Sequence, residues 1–292
     1  MAMTEHLWSV GTVDRSVKIG NKIISYDHNG SFSISDTSNG SSYRYSGPSL
    51  SGNSHYGGFY ENGISAFLVC QVYSSPNYSE YMLRVNTDGT TNAHSLFGYG
   101  YATNNFLGVK GAISGDYIVA SNVNENKMGI YKISTQTTTY SNSPGWMGWP
   151  ARYDDAVYVA NSTSITEVDP SNGGTINTIP ANFGSAIVGV GQQFGNSIYW
   201  PESNGILKLD LISGTTSFKT LTPSGGSHGS NSIIGSDGYL YSIKSSNVLT
   251  VIDPETGQWK NNTLSPSRDG RNYVFCANDK LWIPSGKPDT WD

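Results

Sequence analysis

Leu240-Tyr241-Ser242-Ile243, a short polar gap, then Leu249-Thr250-Val251-Ile252-Asp253-Pro254-Glu255-Thr256-Gly257 is the stretch that decides the fold. Two short runs of β-branched, aromatic and aliphatic residues are each bounded by turn formers, which is how a pair of strands is spelled. The Asp-Pro-x-x-Gly group ends the second run with a mechanism. The Asp side chain caps the turn, Pro fixes φ at the next position, and Gly accepts positive φ. Upstream, Ile198-Tyr199-Trp200 leads to Ile206-Leu207-Lys208-Leu209-Asp210 and Gly214. Val157-Tyr158-Val159 leads to Ile165-Thr166-Glu167-Val168-Asp169-Pro170 and Gly173. Fainter copies run from Tyr117-Ile118-Val119, from Phe67-Leu68-Val69 and from Ile23-Ile24, and a truncated one begins at Leu281-Trp282-Ile283.

The central residues of these first strands are Ile23, Leu68, Ile118, Tyr158, Tyr199, Tyr241 and Trp282, at intervals of 45, 50, 40, 41, 42 and 41 residues. A period of about 40–50 residues with several short strands per repeat is that of β-propeller blades. The expected fold is therefore all-β: a seven-bladed propeller of four-stranded antiparallel blades, A to D, in one domain over residues 1–292. The blades are expected at about 15–47, 48–98, 99–143, 144–180, 181–222, 223–265 and 266–292. Strand A is placed just before B, at residues 185–190, 232–234 and 273–276 in the last three repeats. The last repeat spells only A and B, while His6-Leu7-Trp8-Ser9-Val10 precedes the first. A closing strand within residues 5–14 is expected to join the C-terminal blade, since closure removes exposed sheet edges.

These repeats resemble those of the YVTN and quinoprotein-like seven-bladed propellers, on the strength of Leu249 to Gly257 and Ile165 to Gly173. The resemblance implies a fold and leaves activity open, because such propellers include enzymes, lectin-like binders and scaffolds. Quinoprotein enzymes carry a Trp after the Gly of each blade and acidic metal ligands at the centre. Only Gly257-Gln258-Trp259 fits, so no quinone or other cofactor is expected.

Composition narrows the function. Charged residues are 13 %, and Lys+Arg number 17 against Asp+Glu 22, a net charge of −5. A nucleic-acid surface needs clustered cations, so no nucleic-acid partner is expected. No run reaches the roughly 20 apolar residues of a helical span, and no basic patch followed by an apolar run marks a signal peptide. The 12 % aromatic content with regular strand patterns excludes a disordered chain. Cys70 and Cys276 fall in strands and read as free, buried thiols.

Of the two propeller faces, the one with the repeated C–D turns is monotonous. The B–C loops and D-to-A links share the other, and irregular loops on a rigid scaffold are where binding residues concentrate. The links hold His55, Tyr56, Tyr101, Trp146, Trp149, Phe183, His228 and Arg271. His55 and His228 each lie 13 residues before the central residue of strand B, within the same Ser-Gly-x-Ser-His spelling. Ligand-binding candidates are His55, Tyr56, Tyr101, Trp146, Trp149, His228 and Arg271, since aromatic planes stack on sugars and apolar groups while Arg and His make directed polar contacts. Copying of related blades explains the paired histidines equally well. If the protein were an enzyme, a lyase or hydrolase, His55 and His228 would carry it. The acids Glu80, Glu202 and Asp269 are few on that rim, and no Gly-x-Ser-x-Gly elbow is present. No metal site is expected, for want of His-x-x-x-His or paired-Cys spacing. A multivalent lectin would repeat one polar-aromatic set in every blade, and these differ. The favoured expectation is a non-catalytic binding or structural propeller on a virion, such as a phage particle, or on a cell surface. Its partner would be a protein in an assembly or a surface glycan, and its location extracellular or virion-associated.

Overall fold

The computed structural model describes residues 13–27, 31–46, 53–74, 77–95, 111–122, 127–140, 149–153, 155–161, 163–224, 232–245, 248–263, 275–277 and 280–282. These form six four-stranded antiparallel sheets, each with its strands in sequence order, and one two-stranded sheet. The first is β1 (Val13–Ile19), β2 (Lys22–Asp27), β3 (Ser31–Asp36) and β4 (Ser42–Ser46); the second is β5 (Asn53–Glu61), β6 (Ser65–Ser74), β7 (Asn77–Asn86) and β8 (Thr91–Ser95). The third is β9 (Gly111–Ser114), β10 (Tyr117–Asn122), β11 (Lys127–Lys132) and β12 (Thr137–Tyr140); the fourth is β13 (Trp149–Tyr153), β14 (Ala156–Ala160), β15 (Ser164–Val168) and β16 (Thr175–Pro180). The fifth is β17 (Gln192–Phe194), β18 (Ser197–Glu202), β19 (Gly205–Asp210) and β20 (Thr215–Thr220); the sixth is β21 (Ser232–Ile234), β22 (Leu240–Ser245), β23 (Val248–Ile252) and β24 (Trp259–Thr263). The last sheet pairs β25 (Phe275–Ala277) with β26 (Lys280–Trp282). The innermost strands touch in order, β1 to β5, β5 to β9, β9 to β13, β13 to β17, β17 to β21 and β21 to β25. This is the arrangement of propeller blades around a centre.

The expected seven four-stranded blades are corrected to six. The seventh repeat spells only strands A and B, and it contributes β25 and β26 alone among the described residues. Of the expected closing segment, residues 13 and 14 belong instead to β1, paired with β2 of the first blade. Residues 5–12 lie outside the described residues. Strand A of the fifth blade is also corrected, from residues 185–190 to Gln192–Phe194. The two-residue Gly195–Asn196 turn, with Gly195 at φ 55, sets Phe194 opposite Ser197 and so fixes the register.

Alternation along each strand sends successive side chains to the two neighbouring blades. Val17, Ile24, Phe32 and Ile34 of the first blade pack on Leu68 and Leu83 of the second. Tyr158 and Ile165 of the fourth pack on Trp200 and Leu207 of the fifth. Tyr199 and Ile206 of the fifth pack on Leu240 and Ile252 of the sixth. Ile23 of the first blade shares a buried cluster with Phe275 and Trp282.

The C–D turns repeat one design. In the first, fourth, fifth and sixth blades Asp36, Asp169, Asp210 and Asp253 accept backbone N–H bonds from two or three residues ahead. The residue four positions after each Asp is Gly40, Gly173, Gly214 or Gly257, with φ between 65 and 75. In the first and fifth blades the N–H after the Asp, of Thr37 and Leu211, bonds back to the A–B turn carbonyl of Asn21 and Asn196. A–B and C–D turns thus share one face. The third blade departs from the pattern. Lys132 stands where Asp is expected, and Asp116, in the A–B turn, accepts the Ser134 N–H at 2.8 Å instead. Gln136 occupies the glycine position with φ 57, a conformation that costs an L-residue about 1–2 kcal/mol. Gln136→Gly is expected to stabilise the protein by about 0.5–1 kcal/mol, the relief of that strain less glycine's extra unfolded entropy. The urea midpoint at unchanged m-value checks it.

Candidate functional site

The candidate residues are distributed as follows. His55 and Tyr56 lie within β5, paired in register with Gln71 and Cys70, so they are strand residues and not part of a link. The long β5–β6 ladder, Asn53 to Glu61 against Ala66 to Tyr73, extends pairing past the position where a link was expected. Trp149 begins β13, opposite Ala160, and is likewise in a strand. Tyr101, Trp146, His228 and Arg271 lie outside the described residues. Phe183, also expected on the rim, packs against the cluster between the fourth and fifth blades.

One D-to-A link is described in full, residues 181–191, and its glycines serve packing. A Cβ at Gly184 would come within 2.1 Å of the Phe218 ring, and one at Gly191 within 2.6 Å of the Trp200 indole nitrogen. The link is a strap bonded along the end of β18. Val188 N–H bonds to the Pro201 carbonyl and Ser203 N–H to the Ala186 carbonyl, both at 2.9 Å. Glu202 holds it as well: its Oε2 accepts the Ser185 N–H at 2.5 Å and the Ser185 hydroxyl at 3.2 Å. The sequence had offered Glu202 as a rim acid. It is 0 % exposed, and its Oε1 has no hydrogen-bond partner.

Burial pushes the Glu202 carboxyl above its ordinary 4.5, against the pull of the Ser185 and Gly184 donors. A raised folded value means the fold prefers the protonated acid. Its contribution is fully present below pH 4.5 and fades as pH rises through the folded value. Glu202→Gln keeps a carbonyl for Ser185 and removes the charge. Urea unfolding over a pH series is expected to show the variant gaining on the parent above pH 4.5.

The opposite, turn-bearing face carries two polar clusters between blades. Glu255, in the Asp253–Gly257 turn, accepts the Tyr199 hydroxyl at 2.5 Å and the Lys208 ammonium at 2.7 Å, both from the fifth blade. These partners hold the Glu255 carboxyl below its ordinary value despite partial burial. Asp237 accepts the Tyr241 hydroxyl at 2.5 Å. Burial, then the Asp237 hydrogen bond, push the Tyr241 phenol up. Cys276 is a free, partly buried thiol. Burial, then the nearby Asp237 carboxylate, push it up to about 11, so it stays a thiol at neutral pH. The Cys70 side chain lies outside the described residues. No group of three or more His, Cys, Asp and Glu able to hold a metal occurs among the described residues.

Fold and packing define a β-propeller, and comparison with solved structures agrees. BamB from Moraxella catarrhalis is similar with a TM-score of 0.57 at 13 % identity, over 94 % of this chain and 92 % of that one. The WD40 β-propeller domain of Doa1 gives 0.59 at 12 %, over 94 % and 90 %. The computationally designed Ika8 protein gives 0.54 at 11 %, over 95 % and 96 %. At such identities the likeness is one of fold alone. By sequence, no family model and no curated protein matches the chain.

Proposed function

We propose that the chain is a non-catalytic, protein-binding propeller exposed on a virion or a cell surface. The observation that carries this is where its large apolar side chains stand. Blade-to-blade packing uses the sheet faces, yet Tyr43, Ile64, Ile176, Phe194, Ile212 and Tyr239 are held out at blade edges and turns. Apolar groups presented by a rigid scaffold are what a protein partner covers. In this reading His55, Tyr56, Tyr101, Trp146, Trp149, His228 and Arg271 belong to a further contact surface on the loop face. The ring closes where the last sheet, β25 and β26, meets the first blade. The packing of Ile23 on Phe275 and Trp282, and the influence of Lys18 on the Cys276 thiol, support that closure.

Cross-linking with mass spectrometry on the native particle or cell envelope tests the function. The expected result is links from blade-edge residues to one defined neighbouring protein. Specific glycans bound on an array with no such neighbour, or a turnover abolished by His228→Ala, would contradict it.

A further inference from the structure

The turn face of the fifth and sixth blades gathers apolar and acidic groups in one place. Phe194 ends β17, and its ring lies against Gly238, where an added Cβ would come within 3.1 Å of it. Gly238 is followed by Tyr239, so neighbouring hairpins of the two blades each carry an aromatic side chain on this face, 40 % and 44 % exposed. Ile212, 78 % exposed, projects from the C–D turn of the fifth blade. The Leu211 N–H to Asn196 carbonyl bond, 2.9 Å, ties that turn to the hairpin carrying Phe194. Three large apolar side chains thus extend from turns whose backbones are hydrogen-bonded in place.

Carboxylates outnumber cations in the surround. Asp210 accepts the N–H groups of Ile212 and Ser213, and Asp253 those of Glu255 and Thr256. Asp237 accepts the Tyr239 N–H, and Glu255 is more than half exposed. The turn N–H groups and the Ser213 hydroxyl hold the Asp210 carboxyl below its ordinary value. Asp253 is held low by Thr256 and Glu255 donors, against partial burial. Four carboxylates therefore stand on turns of the same two blades as the apolar group. Among the described cations, Lys208 is already bonded to Glu255, and Lys18 acts on the same Cys276 thiol as Asp237 does.

We infer that this patch, Phe194, Tyr239 and Ile212 with Asp210, Asp237, Asp253 and Glu255, docks a cationic segment of a partner protein. That segment carries an aromatic or aliphatic anchor flanked by Arg or Lys. The apolar side chains supply the contact that excludes water, and the carboxylates select the sign of the flanks. Each carboxylate keeps lone pairs for an added donor after its intrachain bonds are made, since a carboxylate offers about four acceptor positions. The same charge repels anionic lipid and nucleic acid, which sets the occupant apart from both. The inference rests on the protein-binding reading and adds the partner's chemistry and the docking face.

A random heptapeptide display library panned on the folded full chain tests it, with selected peptides then synthesised and titrated. The expected peptides pair an aromatic or aliphatic residue with Arg or Lys. Their binding falls about tenfold or more in Phe194→Ser and in Tyr239→Ser, the loss of a hot-spot contact. It falls several-fold in Asp237→Asn/Glu255→Gln, and as salt rises from about 0.05 to about 0.5 M, where the Debye length shrinks to a few ångströms. Unchanged circular dichroism and Tm in Phe194→Ser show that the loss is local; if it unfolds, Ile212→Ser, at an exposed turn tip, serves in its place. Selection of acidic or uncharged peptides, no selection at all, or binding indifferent to the aromatic and charge variants overturns the inference. Peptides whose binding instead depends on Trp149 or His228 would overturn the docking face and leave the protein-binding reading standing. A native particle without any protein neighbour would remove that reading itself.

Discussion

Trp200→Ala is expected to lower the unfolding free energy by about 3–5 kcal/mol, the range for removing a large aromatic side chain from a core. Trp200 is the largest wholly buried side chain among the described residues and packs in the interface between the fourth and fifth blades, with Tyr158, Ile165, Leu207 and Leu209. Two further contacts keep the site from collapsing into the void. Gly191 lies against the indole, and its N–H bonds to the Pro150 carbonyl at 3.0 Å, so the backbone on that side is held by the fourth blade. Trp200→Phe leaves a smaller cavity and is expected to cost about 1–3 kcal/mol. Gly191→Val presses into the ring from the other side and is expected to cost about as much through overpacking. Urea unfolding of the three variants checks the order: Trp200→Ala costliest, the other two similar. A Trp200→Ala variant within 1 kcal/mol of the parent would remove this interface from the account.

Trp282→Ala is expected to be as costly, about 3–5 kcal/mol, but its effect should be localised differently. Trp282 and Phe275 bury Ile23 of the first blade, and no other described cluster joins the last sheet to the first. Cross-strand pairing puts Ser16, Lys18, Ile23, Ser25, Ser33 and Ser35 on the same face of that blade. The face is thus lined by buried serines around a single isoleucine, where the opposite face offers Val17, Ile24, Phe32 and Ile34. The Ser16 and Ser25 hydroxyls bond to one another at 2.8 Å, while the Ser33 hydroxyl is buried without a partner. Small polar side chains bury little apolar surface, and an unsatisfied hydroxyl costs about 1–3 kcal/mol. Among the described residues, the apolar packing of this seam rests on Phe275 and Trp282 against Ile23. Hydrogen exchange in Trp282→Ala is expected to accelerate together in β1, β2, β25 and β26, with β14 and β18 protected as in the parent. Uniform acceleration in every blade would show that the seam is no weaker than the rest.

What the sequence made legible follows from local chemistry. Asp253-Pro254-Glu255-Thr256-Gly257 could be read as a turn because each residue has a local job there, and the turn forms with Gly257 at φ 75. The same logic misses the third blade. Lys132 and Gln136 break the spelling, and the capping carboxylate arrives from Asp116, 18 residues before Ser134. Residues 185–190 have a strand-like spelling, which is why the sequence points to them as strand A of the fifth blade. Their pairing is taken up by the strap along Glu202, and only the Gly195–Asn196 hairpin decides which segment enters the sheet. Glycines in a link look like a binding loop by composition. Gly184 and Gly191 are there because Phe218 and Trp200 leave no room for a Cβ, which no local pattern announces. The patch of Phe194, Tyr239 and Ile212 escaped for a related reason: its members are 18 to 45 residues apart in sequence, in turns that looked uniform. Tertiary neighbours, and not local spelling, decide which turn residue is covered.

Closure of the ring through the first and last sheets is the proposition on which the radial arrangement of the blades depends. Nuclear Overhauser contacts in isoleucine-methyl-labelled protein with protonated aromatics test it directly. Cross-peaks from the Ile23 δ1 methyl to the rings of both Phe275 and Trp282 are the predicted result. An Ile23 methyl with contacts only inside its own blade, together with a Trp282 indole N–H that exchanges with solvent as fast as an exposed one, would contradict it.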